Sequence, residues 1–252
     1  MAAKRQIKKQ TKKQERPARS AAEVIDTLKG MASAKLRDGM ARYAIPSDHA
    51  LGISVAALRQ LAKKLGPSQE LAVALWPSGI YEARMLASFV AEPDKLTPAQ
   101  MDKWCRDFDN WAITDTMCFT LFDRSPHAFD KIKAWSTKKA EFEKRAAFAL
   151  LASVALHDKA ATNATFIKSL PLIERASTDE RNFVKKGVSW ALRGIGGRNL
   201  ELNAAALELA HDLAGRDDAT ARWVGKDAIR DLSRPAVQRK LAARAAKVKA
   251  KR

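Results

Sequence analysis

From Ala21 onward, apolar residues recur at three- and four-residue spacing, and no segment alternates as a strand would. That is the pattern of amphipathic helices. The run Ala56-Ala57-Leu58-Arg59-Gln60-Leu61-Ala62 is representative. Helix starts are signalled at Ser54, at Thr97 ahead of Pro98, and at Thr178 with Glu180 following. A hydroxyl there can satisfy a free amide, and proline is tolerated at the first helical position. Breaks fall at Gly66-Pro67, Pro77-Ser78-Gly79, Glu92-Pro93 and Gly194-Ile195-Gly196-Gly197, which leaves roughly a dozen helices of ordinary length. Many helices joined by short loops bury their apolar stripes by stacking on neighbours. The expected fold is therefore all-α, a solenoid of helical repeats with a concave groove.

A repeat is visible in the helix openings. Tyr81-Glu82-Ala83-Arg84, Trp111-Ala112-Ile113-Thr114, Phe142-Glu143-Lys144-Arg145, Phe183-Val184-Lys185-Lys186 and Trp223-Val224-Gly225-Lys226 each begin on an aromatic residue, at spacings of 30, 31, 41 and 40. Four of the five carry a basic residue in fourth place. The later spacings match helical pairs of the HEAT type, at about 40 residues. A plainer reading is that aromatic residues simply open many amphipathic helices; the recurring basic residue favours a repeat with one basic edge.

Charge narrows the partner. The 252 residues carry a net charge of +18, which points to a polyanion. Most of it is terminal. Residues 1–19 hold eight basic residues against Glu15, a net of +7, and residues 238–252 hold seven with no acid. The body between them is left at +4. We therefore expect a disordered basic arm (1–19), a helical-repeat domain (20–237) and a basic C-terminal tail (238–252), with any specificity set by placement within the body. Cys105 and Cys118 show no paired spacing and the four histidines are scattered, so neither a disulfide framework nor a metal site is expected. No stretch approaches the roughly 20 apolar residues that span a bilayer, and the N-terminus has no apolar leader. A reduced, cytoplasmic setting follows as an expectation.

A few residues of the body converge by helical arithmetic. Trp111 and Asp115 are four apart and Trp190 and Arg193 three apart, so each pair shares a face. Counted from the aromatic that opens each repeat, Asp115, Arg145, Trp190 and Arg193 fall within about a third of a helix circumference. Neighbouring repeats would present them to one concave surface. Tryptophans offer stacking and arginines bind phosphate. A carboxylate repels phosphate, so Asp115 needs another purpose, and stabilising a developing positive charge is one. Taken singly, each has a bland alternative: the tryptophans as core, Asp115 as a surface or capping carboxylate, the arginines as a solvated face. There is no Ser/His/Asp spacing and no phosphate-cradling glycine loop ahead of a helix.

Together these stretches resemble the AlkD-like HEAT-repeat DNA glycosylases that repair alkylated purines. The resemblance covers roughly residues 40–235. It is carried by Tyr43 ahead of Leu51-Gly52-Ile53, by Leu75-Trp76-Pro77-Ser78-Gly79-Ile80-Tyr81, by Trp111-Ala112-Ile113-Thr114-Asp115, by Arg145-Ala146-Ala147, and most specifically by Trp190-Ala191-Leu192-Arg193. It implies hydrolysis of the N-glycosidic bond of N3- or N7-alkylated purines in duplex DNA, without a metal or cofactor and without flipping the base. Asp115 would stabilise the oxocarbenium-like sugar and position the water, and Trp111 and Trp190 would pack against the deoxyribose. Arg145 and Arg193 would hold phosphates, with Tyr43 and Lys186 as further DNA contacts. The expected partner is alkylated duplex DNA, met by a monomer, with no membrane. Ala112 departs from the acid that family members often carry there, and the two basic termini are additions. Some relatives with this fold only bind DNA, so a non-catalytic binder of damaged or structured DNA stays open. A protein-binding solenoid is a third reading.

Overall fold

The computed structural model describes residues 19–249. It contains, in order, α1 (Ala21–Gly30), α2 (Ala34–Asp38), α3 (Val55–Leu65), α4 (Gln69–Leu75) and α5 (Tyr81–Val90). Next come α6 (Pro98–Arg106), α7 (Trp111–Thr120), α8 (Ala128–Trp135), α9 (Glu141–His157) and α10 (Asn163–Ile167). The last described helices are α11 (Leu170–Ala176), α12 (Asn182–Gly196), α13 (Leu200–Gly215), α14 (Ala219–Leu232) and α15 (Pro235–Lys249). Short 3-10 turns at Met40–Tyr43, Trp76–Ser78, Pro93–Lys95 and Phe122–Arg124 fill several corners. The described helices outnumber the expected dozen because several are only five to seven residues long, such as α10 and α11, which are separated at Lys168-Ser169.

The helices form two layers. In one, α3, α5, α7, α9, α12 and α14 each pack on the next. The members of this inner row that bear the site run parallel. Cys118 of α7 reaches the carbonyl of Ala146 on α9, Gly187 and Gly194 of α12 lie over Arg145 and Ala152 of α9, and Ser189 bonds Asp227 of α14. Helices α4, α8, α11 and α13 back this row as the second layer. One continuous apolar core fills the space between, from Val24 to Leu232. The protein is thus an all-α solenoid of HEAT-like repeats. The aromatic openings seen in the sequence mark the inner row: Tyr81 and Trp111 are the first residues of α5 and α7, and Phe142 and Phe183 the second of α9 and α12. Trp223 lies one turn inside α14.

Two local devices set the geometry of the groove. Gly194 lets α12 approach α9 closely; a Cβ there would sit 3.3 Å from the Ala152 Cα. At the other end, Glu82 of α5 is fully buried and accepts the amides of Leu51 (2.8 Å), Gly52 (2.7 Å) and Ile53 (3.2 Å). Gly52 has φ +78°, and a Cβ would meet the Ser33 carbonyl at 2.2 Å. The carboxylate thereby anchors the segment that leads from Tyr43 into α3.

Charge composition assigns 238–252 to a tail, but the helix α15 occupies most of it. Leu241 is buried, and α15 packs against α13 and α14. Val237, Leu241 and Ala245, four apart, make the apolar stripe that a count of charges overlooks. The N-terminal arm, but for Arg19, lies outside the described residues.

Removing the Glu82 carboxylate would strand three amides, two of them buried and one partly so, each costing about 1–3 kcal/mol. Glu82→Ala is expected to lower stability by at least about 3 kcal/mol, read as a fall in urea midpoint at unchanged m-value.

Candidate functional site

Helix α7 is built to show one face to the groove. Asn110 caps it, its side-chain oxygen accepting from the amides of Ala112 (3.0 Å) and Ile113 (3.1 Å). Ile113, Thr114, Met117 and Cys118 point into the core. Beside them runs a stripe of Trp111, Asp115 and Phe119, each four residues from the last and each half-buried. This spacing puts all three in line above the groove floor.

Each member of the stripe is held from outside α7. The Trp111 indole N–H donates to the Tyr43 carbonyl at 2.7 Å. Asp115 is gripped by Arg145 of α9 through two parallel hydrogen bonds, Nε to Oδ1 at 2.9 Å and Nη2 to Oδ2 at 2.7 Å. Phe119 stacks on Trp190 of α12, with centroids 4.7 Å apart and planes 9° from parallel. The site therefore draws on the segment before α3 and on α7, α9 and α12.

Arg145 does more than pair. It is buried, and its third hydrogen bond, from Nη1, goes to the Phe183 carbonyl of α12 at 2.7 Å. The sequence reading sets this residue on a DNA phosphate; the structure sets its guanidinium on Asp115 and on the first turn of α12. Burial raises the Asp115 carboxyl above the ordinary aspartate value, and the Arg145 bonds and charge oppose the rise. Each carboxylate oxygen retains a second lone pair beyond the one Arg145 occupies.

The other expected contacts are distributed differently. Arg193 is partly exposed, and its guanidinium lies 3.5 Å from Asp227 and 3.8 Å from Asp231 of α14. These carboxylates also pair with Arg230 and Arg234, so Arg193 belongs to a mixed-charge network and is not an isolated cation. Lys186 is exposed one turn before Trp190. Tyr43 is 64% exposed; its carbonyl, which Trp111 engages, is the part tied into the site. The chain leaves Tyr43 through Ala44, which adopts a left-handed φ of 53°.

Two contributors escaped sequence reasoning. Phe119 was signalled only by its place four residues after Asp115. His157, at the end of α9, sets its ring edge-on to Phe119 at 5.7 Å. Its Nδ1 lies 2.5 Å from an Asp123 oxygen that also accepts from Ser153 at 2.6 Å. These residues prop the aromatic stack from the side away from Asp115, and nothing in their spacing announces it. Among the described residues, no group of three or more His, Cys, Asp or Glu could hold a metal ion, and no helix is long and apolar enough to cross a membrane. Cys105 and Cys118 are buried and free.

The model of the DNA alkylation repair enzyme family matches residues 24–232. The chain belongs to the DNA alkylation repair enzyme family. The match runs from within α1 to the end of α14, and with it spans the whole α7, α9 and α12 constellation. A solved structure described as representing "a new family of proteins related to the HEAT-like repeat DNA glycosylases with affinity for branched DNA structures" is similar, with a TM-score of 0.69 and 18% identity over 84% of this chain and 95% of that one. At that identity the likeness is one of fold. A designed armadillo repeat protein, at 14% identity over 71% of this chain and 92% of its own, gives a TM-score of 0.31, too low to carry an argument. No curated protein matches the chain.

Arg145→Met would leave a buried carboxylate unpaired, at a cost of about 3–5 kcal/mol. Adding Asp115→Asn should recover part of that loss, with a coupling of about 1–3 kcal/mol in a double-mutant cycle. Additive losses in urea unfolding would mean that the two side chains do not act as a pair.

Proposed function

We propose that this protein hydrolyses the N-glycosidic bond of N3- or N7-alkylated purines in duplex DNA. The observation that carries the reading is the stripe of Trp111, Asp115 and Phe119 with Trp190 stacked at its end. It sets one carboxylate between aromatic surfaces on the inner row.

The chemistry asks little of an acid. An alkylated purine is already cationic, so when the C1′–N bond breaks, its electron pair neutralises the departing base. Positive charge develops on the sugar instead. Asp115 faces that charge, while Trp111 and Trp190 pack on the deoxyribose and exclude water. Arg145 is a positioning residue: it fixes the plane of the carboxylate and leaves a lone pair on each oxygen. One of these accepts a hydrogen bond from the water that adds to C1′, then takes up the proton that this water loses and passes it to solvent. An electrostatic stabiliser of this kind contributes about 3–4 kcal/mol. A hollow of about 120 Å³ lined by His49, Tyr81, Arg84, Asp109 and Asn110 includes none of Trp111, Asp115 and Trp190. We draw the reaction on a base still in the duplex, as the family resemblance implies, with Lys186 and Arg193 near the backbone.

A second reading is a non-catalytic binder of structured DNA. It has one observation in its favour, that both Asp115 oxygens are engaged by Arg145, and the solved neighbour is described as having affinity for branched DNA.

Base release separates the two. Methylated duplex DNA incubated with the protein should yield free 3-methyladenine or 7-methylguanine, and Asp115→Asn should slow release by about 100- to 1000-fold. Binding without release selects the binder, while release unchanged by Asp115→Asn would contradict the role given to that carboxylate. The ionised carboxylate is the active form, and burial raises its pKa. The rate should therefore fall on acidification at a pH above the ordinary aspartate range, and this fall should be absent from the residual rate of Asp115→Asn.

A further inference from the structure

Helix α15 carries more charge than its packing asks for. It begins at Pro235, beyond residue 232 where the family match ends. One side docks: Leu241 is buried, and the Gln238 amide donates to the Leu232 carbonyl at 2.7 Å and to Asn203 at 3.1 Å. Elsewhere on the helix Lys240, Arg244 and Lys247 are exposed, at spacings of four and three that put them on one face. No acidic residue occurs from 235 to 252. Like charges one turn apart oppose helix formation.

The surface they meet is also cationic. Arg244 donates to the carbonyls of Gly197 (3.0 Å) and Arg198 (3.2 Å), where α12 ends. Arg198 in turn donates to the carbonyls of Ala155 (2.5 Å) and Ala161 (3.3 Å), where α9 ends. Lys159 donates to the Leu156 carbonyl beside them. Burial, together with Arg198, Arg244 and Lys240, pushes the Lys159 ammonium below its ordinary value. Helix C-termini offer only about half a negative charge each, and Asp158 adds one carboxylate near Arg198. The cations outnumber both. Because α9 and α12 run parallel, their C-terminal ends lie together, on one rim of the groove.

We propose that Lys240, Arg244 and Lys247, with Lys159, form a second phosphate-binding surface, which holds the backbone of a DNA duplex arm leaving the groove over the ends of α9 and α12. The three α15 residues span about 10 Å along the helix axis, over which one strand of B-DNA presents about three phosphates. The inference rests on the reading of the groove as a DNA site but not on the base chemistry.

The test is anisotropy titration of an undamaged duplex of roughly 30 base pairs across a salt series. It compares Lys240→Gln/Lys247→Gln with the charge-matched Lys103→Gln/Lys133→Gln on α6 and α8; all four lysines are exposed. The α15 variant should lose about tenfold in low-salt affinity, and its log–log salt slope should shrink by about two, while the control keeps the parent values. Equal slopes and affinities in the two variants would overturn the surface. Failure of base release alone would overturn the glycosylase reading and leave this one standing.

Discussion

Three consecutive inner helices meet at one guanidinium. Arg145 sits on α9, holds both oxygens of Asp115 on α7 and donates to the Phe183 carbonyl on α12. A buried ion pair is rarely a gain in stability, because the cost of removing both charges from water is large. What this one gives is registry. It fixes the depth at which α7 and α12 lie along α9, and so fixes where Trp111 and Trp190 face the groove. The close approach allowed by Gly194 serves the same end.

From that registry the site follows. The stripe of α7 is straight because its members are four residues apart, and Asn110 sets where it begins. The Tyr43 carbonyl closes one end and the Phe119–Trp190 stack the other, with His157 and Asp123 behind the stack. Glu82, remote from the chemistry, acts through the segment it anchors. The carboxylate between these aromatic walls is the one charge of the stripe.

Much of this was legible beforehand where periodicity carried it. The aromatic openings at Tyr81, Trp111, Phe142 and Phe183 mark inner helices because each repeat has the same two-layer packing problem to solve. What was not legible depended on partners far apart in sequence. Helical arithmetic brought Asp115 and Arg145 to the same surface, but it could not tell a phosphate ligand from a carboxylate's partner thirty residues away. Arg193 was set on a phosphate with no carboxylate in view, because Asp227 and Asp231 lie in the following repeat. Phe119 went unnoticed because its stacking partner, Trp190, lies on another helix. The expected tail hid α15, because its charge masked the narrow stripe of Val237, Leu241 and Ala245.

The central claim is that Asp115 is aimed at positive charge developing on a deoxyribose. The most direct measurement compares affinity for two duplexes, one with a cationic aza-sugar at the lesion position and one with a neutral tetrahydrofuran abasic site. The account predicts that the cationic sugar binds at least about tenfold tighter, and that Asp115→Asn erases the difference. Equal affinity for the two sugars in the parent protein would contradict it.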